Sequence, residues 1–218
     1  MSTFSTSSGA PDPGDRNVPT RDRILLVAAR LFTYNGYDRT SLREIAKESH
    51  ITVGSIYNHF QSKEIILDAV LRIGVENVAI KVRERVDALP DDVTWRERIA
   101  TAIREHLLNA LHQGHFTSAN IRLWGQLPAE AKRRQQAVRR KYVEYWRDLF
   151  SNAQAAGELK QEFNSKVMEL FVIGAINWTV EWYDPRRGSF AELCDQLLAM
   201  IFDGIAIDPS DKLKSMDE

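Results

Sequence analysis

Residues 40–63 read TSLREIAKESHITVGSIYNHFQSK, and this stretch decides the fold. Ser41-Leu42-Arg43-Glu44 has the form of a capping box, in which the Ser hydroxyl takes the amide three residues on and the Glu carboxylate returns to the Ser amide. Leu42, Ile45 and Ala46 follow on one short apolar face, and Ser49-His50 stops the helix after about two turns. A second short helix over 52–60 carries Val53, Ile56, Tyr57 and Phe60. Two short helices across a turn of three or four residues form a helix-turn-helix, whose second helix can lie in the major groove of DNA. Ile45, Ala46, Ile51 and Ile56 can pack the pair, and small Ala46 permits close approach. Thr52, Val53, Gly54, Ser55 and Asn58 leave a narrow, weakly charged face that can approach base edges. An ordinary pair of bundle helices has the same spacing, so the pattern alone leaves both readings open.

Outward from this motif the chain reads as helices. Upstream, Ile24, Leu25, Ala28, Leu31 and Phe32 mark one helical face, with Thr20 as a candidate cap and Gly36 as a terminator. Downstream, a long helix runs from Ser62 to before Pro90. Thr94-Trp95-Arg96-Glu97 and Ser189-Phe190-Ala191-Glu192 are two further capping boxes. The helices expected are 95 to about 114, 117–127, Pro128 to about 157, 165–183 and 189 to about 207. No segment alternates with period two, so the expected fold is all-α with about nine helices. The expected organisation is a disordered tail at 1–19, a helix-turn-helix domain at 20–66, a larger helical domain at 67–207, and a flexible tail at 208–218.

Composition narrows the classes. The 218 residues are 44% hydrophobic and 27% charged, with one Cys, which excludes a disulfide scaffold and a collagenous or wholly disordered chain. The first 19 residues lack a basic segment and an apolar segment, so they do not read as a signal peptide. The most apolar stretch, 167–183, is short for a membrane span and holds Glu169, Asn177 and Glu181. A cytoplasmic protein without membrane association is expected. Taken over the whole chain the formal net charge of -1 disfavours nucleic acid, but its distribution does not. Residues 16–63 hold eight bases and four acids, a net +4, against -2 on residues 1–15 and -3 on the remainder. A locally basic module before an acidic body suits a polyanion.

Thr40, Arg43, Ile45-Ala46, Val53, Gly54-Ser55-Ile56-Tyr57, His59-Phe60 and Ser62-Lys63, with the preceding Leu31-Phe32 and Asn35-Gly36-Tyr37, resemble the DNA-binding domain of the TetR family of bacterial transcriptional regulators. The similarity in motif covers about residues 20–66. It implies a homodimer that binds a near-palindromic operator, usually as a repressor, and leaves it when a small molecule occupies the carboxy-terminal domain. Carried onto this chain, Arg43 and Thr52 become base-contact candidates, with Ser55 and Asn58 behind them. Thr40, Tyr57, His59 and Lys63 become phosphate candidates, and Val53 and Gly54 line the approach. One departure is His50, where the family commonly has Gly. The expectation there is a slightly strained turn with positive φ.

The body after residue 66 shows no nucleotide-binding, hydrolase or zinc-protease motif, so neither an enzyme nor a cofactor is expected. His106, His112 and His115 are the one histidine cluster; His112 and His115 stand three apart but lack an evident carboxylate, and the histidines read as solvent-facing or capping residues without a metal. Cys194 reads as a small buried hydrophobe. A helix apolar nearly all round at 167–183 should be covered on every side. With the last helix it provides the dimer interface implied by the resemblance, assigned here to Phe171, Ile173, Val180, Phe190, Leu193, Leu197 and Ile201. Asn177 and Glu181 interrupt the apolar helix on one face, beside Trp178. With Phe116, Asn120, Trp124, Tyr142 and Trp146 they are candidates for the wall of an effector cavity, each also readable as plain core. The run from Asn177 to Gly188 resembles a Trp-Tyr-x-Pro-x-Gly pattern in a family branch that responds to acyl-CoA thioesters. An acyl-CoA or another lipophilic compound is therefore the expected effector. An architectural DNA-binding protein without effector is the alternative, and a helical enzyme the more distant one.

Overall fold

The computed structural model describes residues 18–113 and 115–205. Among these it contains nine α-helices and no strand: α1 Thr20–Asn35, α2 Leu42–Glu48, α3 Val53–Tyr57, α4 Lys63–Asp87, α5 Trp95–Leu108, α6 His115–Trp124, α7 Ala129–Ala155, α8 Ser165–Trp182 and α9 Phe190–Ile205. A five-residue π-helical segment, Asn109–Gln113, follows α5 directly. Most of the expected tails, and the His112 side chain, lie outside the described residues.

Helix ends follow from local chemistry. The Ser41 hydroxyl accepts from the Glu44 amide at 3.2 Å, and Glu44 accepts from the Ser41 amide at 2.7 Å. The same reciprocal pair joins Ser189 and Glu192 at 3.2 and 2.7 Å. Holding those two N–H donors lowers the pKa of both glutamates. Gly36 closes α1 with φ 83°, a conformation that glycine adopts without a Cβ clash. His50 takes φ 54° in the turn between α2 and α3, as expected from its place where glycine is usual. Two ends differ from expectation. Thr20 is the first residue inside α1, and the Pro19 carbonyl accepts from Asp22 and Arg23 in its place. At α5, Thr94 accepts from Glu97, but the amides of Trp95 and Arg96 are held by the carboxylate of Glu158, at 3.0 and 2.9 Å.

Among the described residues, the helices form two compact units that do not follow chain order, within the bounds 1–75 with 109–135 and 76–108 with 136–218. In the first, α1 packs on α6 and α2, and α2 packs on α3. Its core joins Phe32, Ile45, Ile56, Leu67, Leu71 and Phe116. Each such side chain, removed from water, contributes about 1.5–3 kcal/mol. In the second, α5 packs on α8 and α9. Trp146, Phe150, Ile99, Ile176 and Phe202 are fully covered there.

Exposure along α8 and α9 divides the expected dimer set. Met168, Val172, Ile176 and Val180 turn inward, whereas Val167, Leu170, Phe171, Trp178 and Trp182 are at least half exposed. Val180, Leu193, Leu197 and Ile201 are no more than 9% exposed and belong to the chain's own core. Ile173 and Phe190 are half-buried, so Phe171 is the member of that expected set that stands in the open. The apolar stripe was legible, but which side of it faces the core depends on partners distant in sequence.

Candidate nucleic-acid interface and a buried polar cluster

The helix-turn-helix presents most of the expected surface. Arg43, Thr52, Gly54, Tyr57, Asn58 and His59 are exposed, and Val53 and Ser55 are half-buried, whereas Ile56 and Phe60 point into the core. Thr52 caps α3, its Oγ1 accepting from the Ser55 amide at 3.2 Å and lying 3.0 Å from the Ser55 hydroxyl. These bonds leave both hydroxyls on the outer side of a helix that carries no large side chain on that side before Tyr57. Arg30 donates to Glu48 at 2.7 Å and fastens α1 to α2.

Two expected phosphate ligands have partners inside the fold. Thr40 is 1% exposed, its hydroxyl donates to the Gly36 carbonyl at 2.8 Å, and its amide donates to the Tyr37 carbonyl. Both donors are committed inside the fold, so Thr40 shapes the α1–α2 loop. Lys63 is half-buried, and its Nζ donates to the carbonyls of Tyr37 and Thr40, each at 2.9 Å. The ammonium also lies 4.1 Å from the centre of the Tyr37 ring. Lys63 therefore fastens the first turn of α4 to the loop that enters the helix-turn-helix. The Tyr37 hydroxyl adds a bond to Glu64 Oε1 at 3.2 Å. Partial burial and the neighbouring Glu64 carboxylate push the Tyr37 pKa up to about 12. The sequence shows a cation here, but not its carbonyl partners.

The candidate effector residues divide between the two units. In the first, Asn120 donates to the Leu71 carbonyl at 2.7 Å, Phe116 is buried in the core, and Trp124 packs against it. In the second, Tyr142, Trp146 and Asn177 meet around His106 on α5, which is buried rather than solvent-facing. The signal for it was its place on the apolar face of Ile99, Ile103 and Leu107. His106 Nδ1 lies 2.9 Å from the Tyr142 hydroxyl, and Nε2 lies 3.0 Å from Asn177 Oδ1. The imidazole stacks on Tyr142 and meets Trp146 edge to face. Burial pulls the His106 pKa down to about 4, so the ring is neutral at pH 7. Trp178 stands on the exposed face of α8, and Glu181 is exposed, so neither joins this cluster. No group of three or more His, Cys, Asp or Glu side chains among the described residues is placed to hold a metal ion. No helix among them is long and apolar enough to cross a membrane.

A capped helix pair with an open, small-residue second helix, carried beside a larger all-helical body, defines a helix-turn-helix DNA-binding regulator. Residues 24–70 match the model for bacterial regulatory proteins of the tetR family, and residues 92–205 match the model for the tetracyclin repressor-like carboxy-terminal domain. The chain belongs to the tetR family of bacterial transcriptional regulators. Among its relatives is the HTH-type transcriptional repressor KstR2 of Mycolicibacterium smegmatis, 26% identical over 208 residues, covering 93% of this chain and 98% of that one. Among solved structures, AibR in complex with isovaleryl coenzyme A and operator DNA superposes with a TM-score of 0.75 at 27% identity, covering 84% of this chain and 98% of that chain. A TetR/AcrR-family regulator from Thermobifida fusca matches at 32% identity with a TM-score of 0.64, over 84% and 97% of the two chains.

Proposed function

We propose that the protein is a homodimeric, effector-released repressor working without catalysis in the cytoplasm. Residues 20–66 bind one half-site, and the body over 67–207 binds the effector and pairs with a second copy. Arg43, Thr52, Ser55 and Asn58 read base edges, Val53 and Gly54 allow close approach, and Tyr57 and His59 meet phosphates. Two such modules reading a near-palindrome need half-sites one helical turn, about 34–36 Å, apart or a multiple of it. The exposed apolar stripe of Val167, Leu170, Phe171, Trp178 and Trp182 on α8 is the surface on which the second copy docks, since stripes of this kind on a folded chain mark interaction sites. Replacing Phe171 and Trp178 together with Glu should convert the dimer to monomer in sedimentation equilibrium.

The observation that carries the effector reading is the His106–Tyr142–Asn177 cluster. It is a hydrogen-bonded polar group set within an otherwise apolar, aromatic core, the usual make-up of a small-molecule site. The effector is small and amphipathic, and an acyl-CoA thioester, the class bound to AibR, leads the candidates. Native mass spectrometry of the full-length chain identifies molecules it retains. The best of these, added to the chain bound to its own promoter fragment, should release the DNA. A chain whose DNA affinity no retained or acyl-CoA ligand alters would be a constitutive DNA-binding protein, and the effector reading would fall.

A further inference from the structure

We infer that the ligand site in the second unit is built to take an acyl oxygen, presented with hydrogen-bond donors by Asn177 and flanked by Arg139. This rests on the effector reading above and names the chemistry of its polar anchor.

The direction in which protons run through the cluster decides what Asn177 can offer. Trp146 Nε1 is a donor only, and it is buried without a hydrogen-bond partner beside the cluster. Tyr142 is itself buried and lies 2.9 Å from His106 Nδ1. Its own O–H proton needs an acceptor in the cluster, and indole N–H cannot be one. The hydroxyl therefore donates to His106 Nδ1, which must carry a lone pair. Neutral imidazole then holds its proton on Nε2, and that N–H donates to Asn177 Oδ1 at 3.0 Å. The opposite order would turn the Asn177 amide round and leave the buried Tyr142 proton without an acceptor, which costs more than the present arrangement. The chain of donors thus ends on Asn177 Oδ1, and what Asn177 offers beyond the cluster is chiefly its two N–H groups.

Arg139 adds the charge. It lies three residues before Tyr142 and seven before Trp146, hence on the same face of α7. It is half-buried, desolvation pulls its pKa down to about 10, and its charge is felt at His106. Amide donors beside a partly desolvated guanidinium favour an oxygen with negative or partial negative charge. A thioester carbonyl and a free carboxylate share that chemistry. In this arrangement Tyr142, Trp146 and His106 are positioning residues, and Asn177 is the ligand-binding group.

The experiment uses the full-length chain. Titration calorimetry with isovaleryl-CoA, and separately with isovalerate, is compared for the wild type and Asn177→Asp. The Asp side chain keeps the shape and still accepts from His106, but it offers no amide donors. The expected result is binding of one or both probes by the wild type and a loss of about tenfold to a hundredfold in the variant, the range for a hydrogen bond to a charged or polar oxygen. Binding of isovaleryl-CoA alone identifies the thioester carbonyl, and binding of isovalerate as well identifies a carboxylate-competent site. Undiminished binding by Asn177→Asp, or no binding of either probe to the wild type, overturns the inference. Nitrogen-15 NMR of the histidine-labelled wild type needs no variant: it should show His106 protonated at Nε2, and protonation at Nδ1 overturns the donor order even if Asn177→Asp fails to fold. A retained native ligand without an acyl or carboxyl oxygen would leave the repressor reading standing and remove this one.

Discussion

Lys63→Ala separates two roles for one cation. As a phosphate ligand, Lys63 would contribute chiefly to DNA affinity. As a fastener, it holds the Tyr37 and Thr40 carbonyls at 2.9 Å each and covers the Tyr37 ring at 4.1 Å. Hydrogen bonds involving a charged group are worth roughly 1.5–3 kcal/mol each, but Lys63 is half-buried and water can replace part of that. With a cation–π interaction of about 0.5–1 kcal/mol, the loss on truncation should be about 2 kcal/mol. Urea unfolding followed by circular dichroism measures it. DNA affinity should also fall, because the loop entering α2 is released. The dependence of log K on log salt concentration should keep its slope, since the fastener touches no phosphate. Removing a cation that neutralises a phosphate would instead flatten that slope by about 0.9. Unchanged unfolding stability together with the flatter slope would refute the fastening role.

Gly74→Ala should destabilise the chain by about 1–3 kcal/mol, the usual range for overpacking, because a Cβ there would meet the Phe116 carbonyl carbon at 2.8 Å and approach its oxygen closer still. Thermal melting reads this, and an unchanged Tm would mean that α6 yields freely. His50→Gly should raise stability by about 0.5–1 kcal/mol, the part of the left-handed penalty of about 1–2 kcal/mol left after glycine's extra chain entropy, because φ is 54° at that turn. A less stable variant would show that the His50 side chain makes an interaction outweighing its backbone strain. For His106, the unfolded ring takes up a proton near pH 6.5 and the folded ring only near pH 4. The unfolded state thus binds more protons between these values, so stability is full above pH 6.5 and declines as the pH falls toward 4. The contribution is about 3 kcal/mol at 1.36 kcal/mol per pKa unit. His106→Gln should lose less stability than the wild type across that window, and equal losses would show that His106 is not buried neutral.

Elements whose ends are written in adjacent residues were legible in the sequence. The capping boxes at Ser41 and Ser189, the stop at Gly36 and the strained turn at His50 each depend on three or four neighbouring side chains or on one φ angle. The helix-turn-helix was therefore readable almost to the residue, as were the exposed positions Arg43, Thr52 and Asn58. Pairings between residues far apart in the chain were not. Glu158 caps α5 from 63 residues away, and Tyr142 meets His106 from 36. Nothing in the local pattern of either partner encodes the other. The sides of α8 failed for the same reason: a helix apolar nearly all round has no moment to say which face is core. The π segment after α5 carries no local signal either, since Asn109-Ala110-Leu111 is equally compatible with an α-helix.

The two units are joined by helical stretches of chain. The chain passes between them within α4, at residues 75–76, within α7, at 135–136, and at the junction of α5 with the π segment. None of these is a loop. In the first unit α4 is held at both ends. Lys63 fastens its first turn to the loop before α2, whereas Asn120 and Thr117 on α6 donate to the carbonyls of Leu71 and Gly74, at 2.7 and 3.2 Å. Gly74 is what lets the α6 backbone come so close, at a cost of about 0.5–1 kcal/mol relative to Ala in a helix interior. Were α4 to move as one rod across residues 75–76, a displacement beyond residue 76 would have two outlets. It would break the α6 bonds, or carry the first turn of α4 and pull on the Tyr37–Thr40 loop. The second outlet would move the helix-turn-helix directly, because Thr40 is the residue before the cap of α2. Weakening the α6 clamp with Thr117→Val should thus alter how strongly a ligand in the second unit changes DNA affinity while leaving ligand affinity for the DNA-free chain nearly unchanged. Equal coupling in the variant and the wild type would show that α4 is not the route.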